Sequence, residues 1–338
     1  MTYILILTID PDPHVDEVVN ILEKKRNVSI LRINTNKLSK KSCISAHFSS
    51  NIRFIINHNG SEIVLNKVNS IWFRKPYLQL KHYKEIGKDG VLEQKFKFEE
   101  WKNIYIPLLY EAEKLKIFTV SNYTSIIKAK NKPYQLFAAN EIGFKIPDTI
   151  VSCDKDEIIN FIKKHSDKTI TKVFGDPYVE FGDIKKTFYT FKINEKQFKA
   201  FYKNKTLDYP ILIQEQINKK LELRITVIGN YIFACSIDSQ SHKDAKIDWR
   251  RVDPYILKHE IYELPQHIKK KCFEICKYFK LEFGAIDMAI SPRGEYVFFE
   301  LNPNGQYLWM ENMTRLPLSQ AMANLLLSSN TYSLNFKN

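Results

Sequence analysis

At 338 residues, with 44% hydrophobic and 26% charged residues, the chain can bury more than one core, so two or three tightly packed subdomains are expected. No apolar run approaches the ~20 residues of a membrane helix, and Met1 to Asp10 lacks the basic opening of a signal peptide, so the sequence points to a cytoplasmic protein with no membrane partner. The net charge of +13 favours anionic partners, yet no zinc finger, helix-turn-helix signature or aromatic RNA-binding motif accompanies it, and nucleic acid is not expected.

In chain order, Tyr3 to Ile9 is an apolar run suited to a buried strand, and Val15, Val18, Val19 and Leu22 follow Pro13 at helical spacing. Val28 to Ile33 completes a βαβ unit and opens an α/β domain. Further strands are expected at Ile52 to Asn57, Glu62 to Leu65 and Ser70 to Phe73, with one or two helices over Val91 to Lys116. A helix from about Pro133 to Glu141 is stopped by Gly143, and another covers Glu157 to Lys164. Thr169 to Phe174 reads as a strand running into a polar loop that contains Gly175, Asp176, Pro177 and Gly182. Ile211 to Gln214, Leu223 to Ile228 and Tyr231 to Ile237 are strands, the last two a hairpin turning at Gly229 and Asn230. A helix near Ile268 to Phe279 precedes strands at Gly284 to Ser291 and Tyr296 to Leu301. Leu318 to Leu327, apolar nearly all round, is a buried closing helix. The five cysteines are odd in number and unclustered, and Cys272 and Cys276, four apart on one helix face, are expected as buried thiols.

Chemistry concentrates between Gly284 and Trp309. Asp287 interrupts an apolar strand, a turn at Pro292 to Gly294 reverses the chain, and Glu300 and Asn302 sit two apart on the returning strand, facing the same way. If the hairpin pairs so, Asp287 joins them in a hard-oxygen cluster suited to Mg²⁺; polar residues of an ordinary hairpin are the alternative. Lys172 at the end of its strand and Lys132 before its helix can each aim an ammonium at a phosphate, although single lysines are ordinarily solvated. Ile211 to Ile217 runs from an apolar strand into polar residues able to meet an adenine edge. Glu222 is placed for a ribose hydroxyl, and Arg224, alternating with Leu223 and Ile225, requires an anionic partner if buried.

This order of features resembles the ATP-grasp fold from Lys132 onward. Residue by residue, the resemblance makes Lys132 and Lys172 phosphate-binding, Glu215, Gln216 and Ile217 the adenine hinge, Glu222 a ribose contact, Arg224 a substrate and phosphate contact, and Asp287, Glu300 and Asn302 the Mg²⁺ ligands. More specific segments are IWFRKP at Ile71 to Pro76, NKPYQL at Asn131 to Leu136, ELRITVIG at Glu222 to Gly229, IDSQ at Ile237 to Gln240, DWRR at Asp248 to Arg251 and ELNPNGQYLW at Glu300 to Trp309. Together these are similar to the microviridin-type graspetide synthetases over nearly the whole chain. The phosphate-covering loop departs from the wider superfamily, since Gly175 to Gly182 has few glycines and acidic Asp176, Glu180 and Asp183 lie in or beside it.

The resemblance implies an α/β (α+β) protein: a pre-ATP-grasp α/β domain over residues 1–121, a central ATP-grasp subdomain over 122–207 and a C-terminal one with the Mg²⁺ site over 208–338. It also implies that ATP and Mg²⁺ serve to activate Asp or Glu side chains of a ribosomal precursor peptide, composed of a leader and an acidic core, as acyl phosphates. A Thr, Ser or Lys side chain of the same peptide then closes an ester or amide ring. Arg250 and Arg251 are candidates to orient the carboxylate beside Arg224, and Asp238 and Asp248 are candidate bases or partners of those arginines. A homodimer is compatible with this reading. The rivals are a ligase adding glutamate or another amino acid to a carboxylate, a basic nucleic-acid-binding protein without ATP turnover, and a degenerate module that only binds peptide.

Overall fold

The computed structural model describes residues 1–75, 83–175, 178–181, 184–203 and 206–336. The Thr2–Thr8 strand is buried over its last five residues, as a central parallel strand requires. It pairs in parallel with Val28–Asn34 on one side and Val68–Phe73 on the other, and Phe118–Val120 adds a fourth parallel strand. The first crossover is the Pro13–Leu22 helix, whose N-cap Asp12 accepts a hydrogen bond from His14 N and whose Val15, Val18 and Leu22 are buried. A separate antiparallel meander, Ser42–His47, Arg53–His58 and Ser61–Val64, is inserted before the Val68–Phe73 strand. Its first strand reads SCISAH, which lacks the branched and aromatic density that marks the others, and it was not expected. Tyr83–Lys114 is two helices joined at Gly87, where φ is +68°.

A four-stranded antiparallel sheet follows, ordered Phe191–Ile193, Thr169–Lys172, Ile211–Glu215, Thr149–Ser152. It has its own small core, in which Ile158, Ile162 and Phe198 from two helices meet Ile193 and Ile213 of the sheet. Part of the expected polar loop is a two-stranded hairpin, Tyr178–Phe181 with Ile184–Thr187. Asp176, Pro177, Gly182 and Asp183 lie outside the described residues, as does Pro76.

The C-terminal sheet has five antiparallel strands, ordered His259–Ile261, Tyr231–Ile237, Leu221–Ile228, Phe283–Ile290, Tyr296–Asn302. Its Leu221–Ile228 strand is covered on both faces, by the Gln266–Tyr278 helix and by the Leu318–Leu327 helix. The latter helix is buried nearly all round because it also packs on Ile4, Ile6 and Trp72 of the N-terminal sheet. The N-terminal and C-terminal sheets therefore share one apolar interior. Cys272 and Cys276 are fully buried free thiols in it, and burial pushes the Cys272 thiol up to about 12. Among the described residues no helix is long and apolar enough to cross a membrane.

Gly229 turns the Leu221–Ile228 and Tyr231–Ile237 hairpin at φ +52°, and a Cβ there would stand 2.0 Å from the Tyr332 carbonyl oxygen. Gly229→Ala is expected to cost about 2–4 kcal/mol, measured by urea denaturation, because backbone must move to admit the methyl group. A loss below about 0.5 kcal/mol, the ordinary range for a surface change, would mean that the turn relaxes freely.

Candidate active site

The site grows from the register of three strands. Arg224 stands directly opposite Asp287, and Asp287 directly opposite Glu300, so one row across the sheet carries the charges plus, minus, minus. Asn302 stands opposite Ala285, one step along the same face. A bulge at this point sets Asp287 against Glu300 but Met288 against Phe298, leaving Phe299 without a partner of its own. Phe299 and Glu300 consequently both line the cleft, which strict alternation would forbid.

Asn302 Nδ2 donates to Glu300 Oε1 at 3.2 Å and Asp287 Oδ2 at 3.3 Å, so the three expected ligands do converge. Arg224 Nη1 lies 3.1 Å from Asp287 Oδ1, behind the carboxylate and out of the cleft lining, while its buried Nε has no hydrogen-bond partner. Lys132 Nζ donates to Val173 O at 2.9 Å and stands 3.8 Å from Glu300 Oε2. Burial would raise the Glu300 carboxyl, but Lys132, Lys172 and Arg250 around it hold it well below the usual carboxylate range. Asp287 moves the opposite way, since burial, with Glu300 beside it, outweighs Arg224. Burial pushes the Lys172 ammonium down from 10.5 to about 8, with Glu300 opposing the fall and Lys132 and Arg250 adding to it.

Two adjoining clefts meet at Arg250 and Glu300. One opens between Lys172 and Glu215–Ile217 on the central-sheet side and Glu222, Asp287 and Glu300 on the C-terminal sheet. The other lies between Lys132, Arg250, Asn302 and the Pro303–Gly305 turn. Glu222 is held by Lys219, whose Nζ lies 2.7 Å from its Oε1. Asp248 is not a free base: Arg250 donates to both its oxygens, Nε and Nη2 each at 2.8 Å. Burial would raise the Asp248 carboxyl, yet the Arg250 fork keeps it below its ordinary value. Arg251 donates to Thr190 O at 2.6 Å, lies over the Tyr189 ring and lines neither cleft. Asp238, which accepts from Ser241 N at 3.2 Å, also lies outside both linings.

Sequence reasoning missed several residues. Lys219, Lys246, Trp249 and Phe299 line the first cleft. Gln135, buried in the helix that begins at Lys132, donates to Leu301 O at 2.7 Å and accepts from Leu301 N at 2.9 Å. That amide clamps the backbone between Glu300 and Asn302. Its signal was a glutamine on the apolar side of a helical segment, where a polar group needs fixed partners. Among the described residues no group of three or more His, Cys, Asp or Glu forms a metal site, so a cation here would rest on two carboxylates and an amide.

Residues 3–102 match the family described as the MvdD pre-ATP grasp domain. The chain is similar to the RiPP-associated ATP-grasp ligase of Chryseobacterium gregarium, solved with ADP and a leader and core peptide, at TM-score 0.82 and 28% identity over 97% of each chain. It also resembles the macrocyclase MdnC of Microcystis aeruginosa MRC, bound with precursor peptide MdnA, at TM-score 0.79 and 24% identity over 97% of this chain and 100% of that one. A third similar structure is the ATP-grasp ligase PsnB, complexed with a phosphomimetic variant of minimal precursor, Mg and ADP, at TM-score 0.73 and 17% identity, covering 98% of this chain and 99% of that one. The latter two likenesses speak to fold alone. No curated protein sequence matches the chain.

The depressed ammonium of Lys172 gives a stability prediction with a definite sign. A folded-state value of about 8 against an ordinary 10.5 means the unfolded chain binds the proton more tightly, so this lysine opposes folding below pH 8 and ceases to do so above 10.5. Lys172→Met is expected to raise stability at pH 7 by ~1 kcal/mol after allowance for partial exposure, with the difference closing between pH 8 and 10.5. Thermal melts across that range test it; a gap that widens with pH would place the ammonium in a site that favours its charge.

Proposed function

The chain has an MvdD-type pre-ATP-grasp domain on an ATP-grasp fold and is homologous to ATP-grasp ligases, and from that premise we propose that it cross-links acidic side chains of a ribosomal precursor peptide. The observation that carries this reading is the convergence of Asp287, Glu300 and Asn302 with Lys132, Lys172 and Arg250 around two adjoining clefts. Adjoining clefts are what a ligase needs to bring a nucleotide and a carboxylate together. The division into residues 1–121, 122–207 and 208–338 is part of this proposal.

The donor set fits Mg²⁺. Two carboxylates and an amide are hard ligands, and Asn302 now turns its NH₂ toward both carboxylates, where a half-turn of the amide offers an oxygen instead. Asp287, Glu300 and Asn302 would hold the ion, which when bound neutralises the charge of the triphosphate. Glu215, Gln216 and Ile217 at the cleft wall receive the adenine, Glu222 with Lys219 receives the ribose, and Lys172 and Lys132 hold phosphoryl oxygens. Arg250, fixed by Asp248, faces both clefts and orients the substrate carboxylate beside the γ-phosphoryl group; Arg224 secures Asp287 from behind.

In the first step a carboxylate oxygen of the peptide attacks the γ-phosphorus and ADP leaves, giving an acyl phosphate. In the second, a Thr or Ser hydroxyl or a Lys amine attacks the acyl carbon, loses its proton, and phosphate leaves. The balance is one water removed from the peptide per ATP hydrolysed. Positioning and charge neutralisation carry such a reaction, which is consistent with a site rich in cations. The basic balance of the chain, +13, also suits an acidic peptide and a nucleotide.

Co-expression with a precursor bearing Asp or Glu and Thr, Ser or Lys should give a product lighter by one water per link, resistant to fragmentation within the ring. A glutamate mass gain without dehydration would instead favour the amino-acid ligase. Asn302→Ala and Glu300→Gln should each lower ADP release at least ~100-fold with unchanged circular dichroism. Normal turnover in both variants would remove the metal assignment.

A further inference from the structure

Two N-terminal segments find no use in the clefts themselves: the Asp12-Pro13-His14 start of the first helix and the Phe73-Arg74 end of a strand. The Val68–Phe73 strand delivers Arg74, 3% exposed, to the chain that follows Asn302. Its Nη1 donates to Asn304 O at 2.7 Å and lies 3.5 Å from Gly305 O. Its Nε, buried and without a hydrogen-bond partner, stands 3.8 Å from Asp12 Oδ2. Asp12, 4% exposed, also accepts from Thr8 Oγ1 at 2.6 Å and from His14 N at 3.2 Å. His14 Nδ1 lies 3.4 Å from Asp12 Oδ1, and its Nε2 accepts from the backbone N–H groups of Tyr307 at 3.1 Å and Leu308 at 3.2 Å. The N-terminal domain thus grips both ends of the 304–308 segment by its backbone, Arg74 from beyond a strand and His14 from a helix.

The opposite side of that segment is equally confined. A Cβ on Gly305 would sit 2.4 Å from Ala285 Cβ and 3.2 Å from Asn302 Cβ, and Ala285 is the strand partner of Asn302. At its far end Trp309 lies over Arg224, with 5.9 Å from the guanidinium carbon to the ring centroid. A buried ion pair contributes little stability over an apolar filling of the same volume, but here it fixes position, because Asp12 holds the guanidinium at 3.8 Å while Nη1 is committed to the Asn304 carbonyl.

We infer that Arg74, with Asp12 and His14, is a positioning residue that sets where Asn302 and Trp309 stand and so couples the N-terminal domain to the oxygen ligands of the cleft. The part of this that concerns the cation rests on the ligase reading above. The coupling acts through the backbone of residues 304–308, not through any contact of Arg74 with substrate.

The test uses the full chain with Arg74→Gln and Arg74→Lys. Hydrogen exchange without nucleotide should accelerate about tenfold at the Tyr307 and Leu308 amides and stay unchanged in the Thr149–Glu215 region. The Mg²⁺ concentration giving half-maximal ADP release should rise about tenfold, with the maximal rate nearly kept, as expected when a supporting partner of a metal ligand is lost. Calorimetric affinity for a non-hydrolysable ATP analogue with Mg²⁺ should fall in step. Lys should not rescue, since one ammonium cannot reproduce the planar fork that meets Asn304 O and faces Asp12. Should Arg74→Gln fail to fold, Gly305→Ala displaces the same segment from the Ala285 side and should shift the Mg²⁺ requirement likewise. Unchanged exchange at Tyr307 and Leu308, or acceleration spread evenly over the whole chain, overturns the inference, as does an unchanged Mg²⁺ requirement. A wild-type protein that binds no nucleotide would instead overturn the ligase reading, and the nucleotide-free exchange keeps the two failures distinct.

Discussion

Asp287 and Glu300 are like charges placed directly opposite one another on neighbouring strands, an arrangement that ordinarily destabilises a sheet. Here it is held by cations that approach from both sides: Arg224 from the next strand behind Asp287, and Lys132, Lys172 and Arg250 around Glu300. The two carboxyls respond in opposite directions, Asp287 upward and Glu300 downward, because burial dominates at one and cations at the other. The bulge that brings Phe299 and Glu300 to one side and the Gln135 clamp on Leu301 both keep this pair in place.

Such a cluster is poorly designed for stability alone. Lys172 is pushed toward its neutral form, Arg224 keeps a buried donor without a partner, and Asn302 turns amide hydrogens toward the two carboxylates. The demands of Lys172 and Asn302, which line the clefts, are met better when an anion or a cation arrives. That is the character of a preorganised electrostatic site, in which the fold supports charges in advance of the ligand.

Much of this was legible in the sequence where spacing determines geometry. Glu300 and Asn302, two apart on a strand, had to share a face, and a tight turn at Pro292 to Gly294 allowed Asp287 to join them if the hairpin paired so. Register and bulges are set by packing, so the doubling of Phe299 with Glu300 was not legible. Asp248 and Asp238 were open to two readings, as bases or as partners of Arg250 and Arg251, and tertiary structure sets Asp248 in the second, anchoring Arg250, while Asp238 and Arg251 stand outside the clefts. The Ser42–His47 strand escaped because its pattern is too polar, and the hairpin after Gly175 because Pro and Gly beside it look like loop punctuation.

The DWRR segment then acquires a different meaning from the one its charges suggest. Thr190 precedes the Phe191–Ile193 strand at the edge of the central sheet, and its backbone N–H donates to Asp248 Oδ2 at 3.3 Å while its carbonyl accepts from Arg251 at 2.6 Å. One residue of the central sheet is thereby held at both its polar backbone groups by the segment that also fixes Arg250. The Lys132 bond to Val173 O adds a second tie between the same two walls, beside Lys172. Because the central sheet has its own small core, while the N-terminal and C-terminal sheets share theirs, these polar ties help set how Lys172 faces Glu300. Asp248 and Arg251 thus help to hold the two sides of the cleft in register, with Arg250 fixed between them.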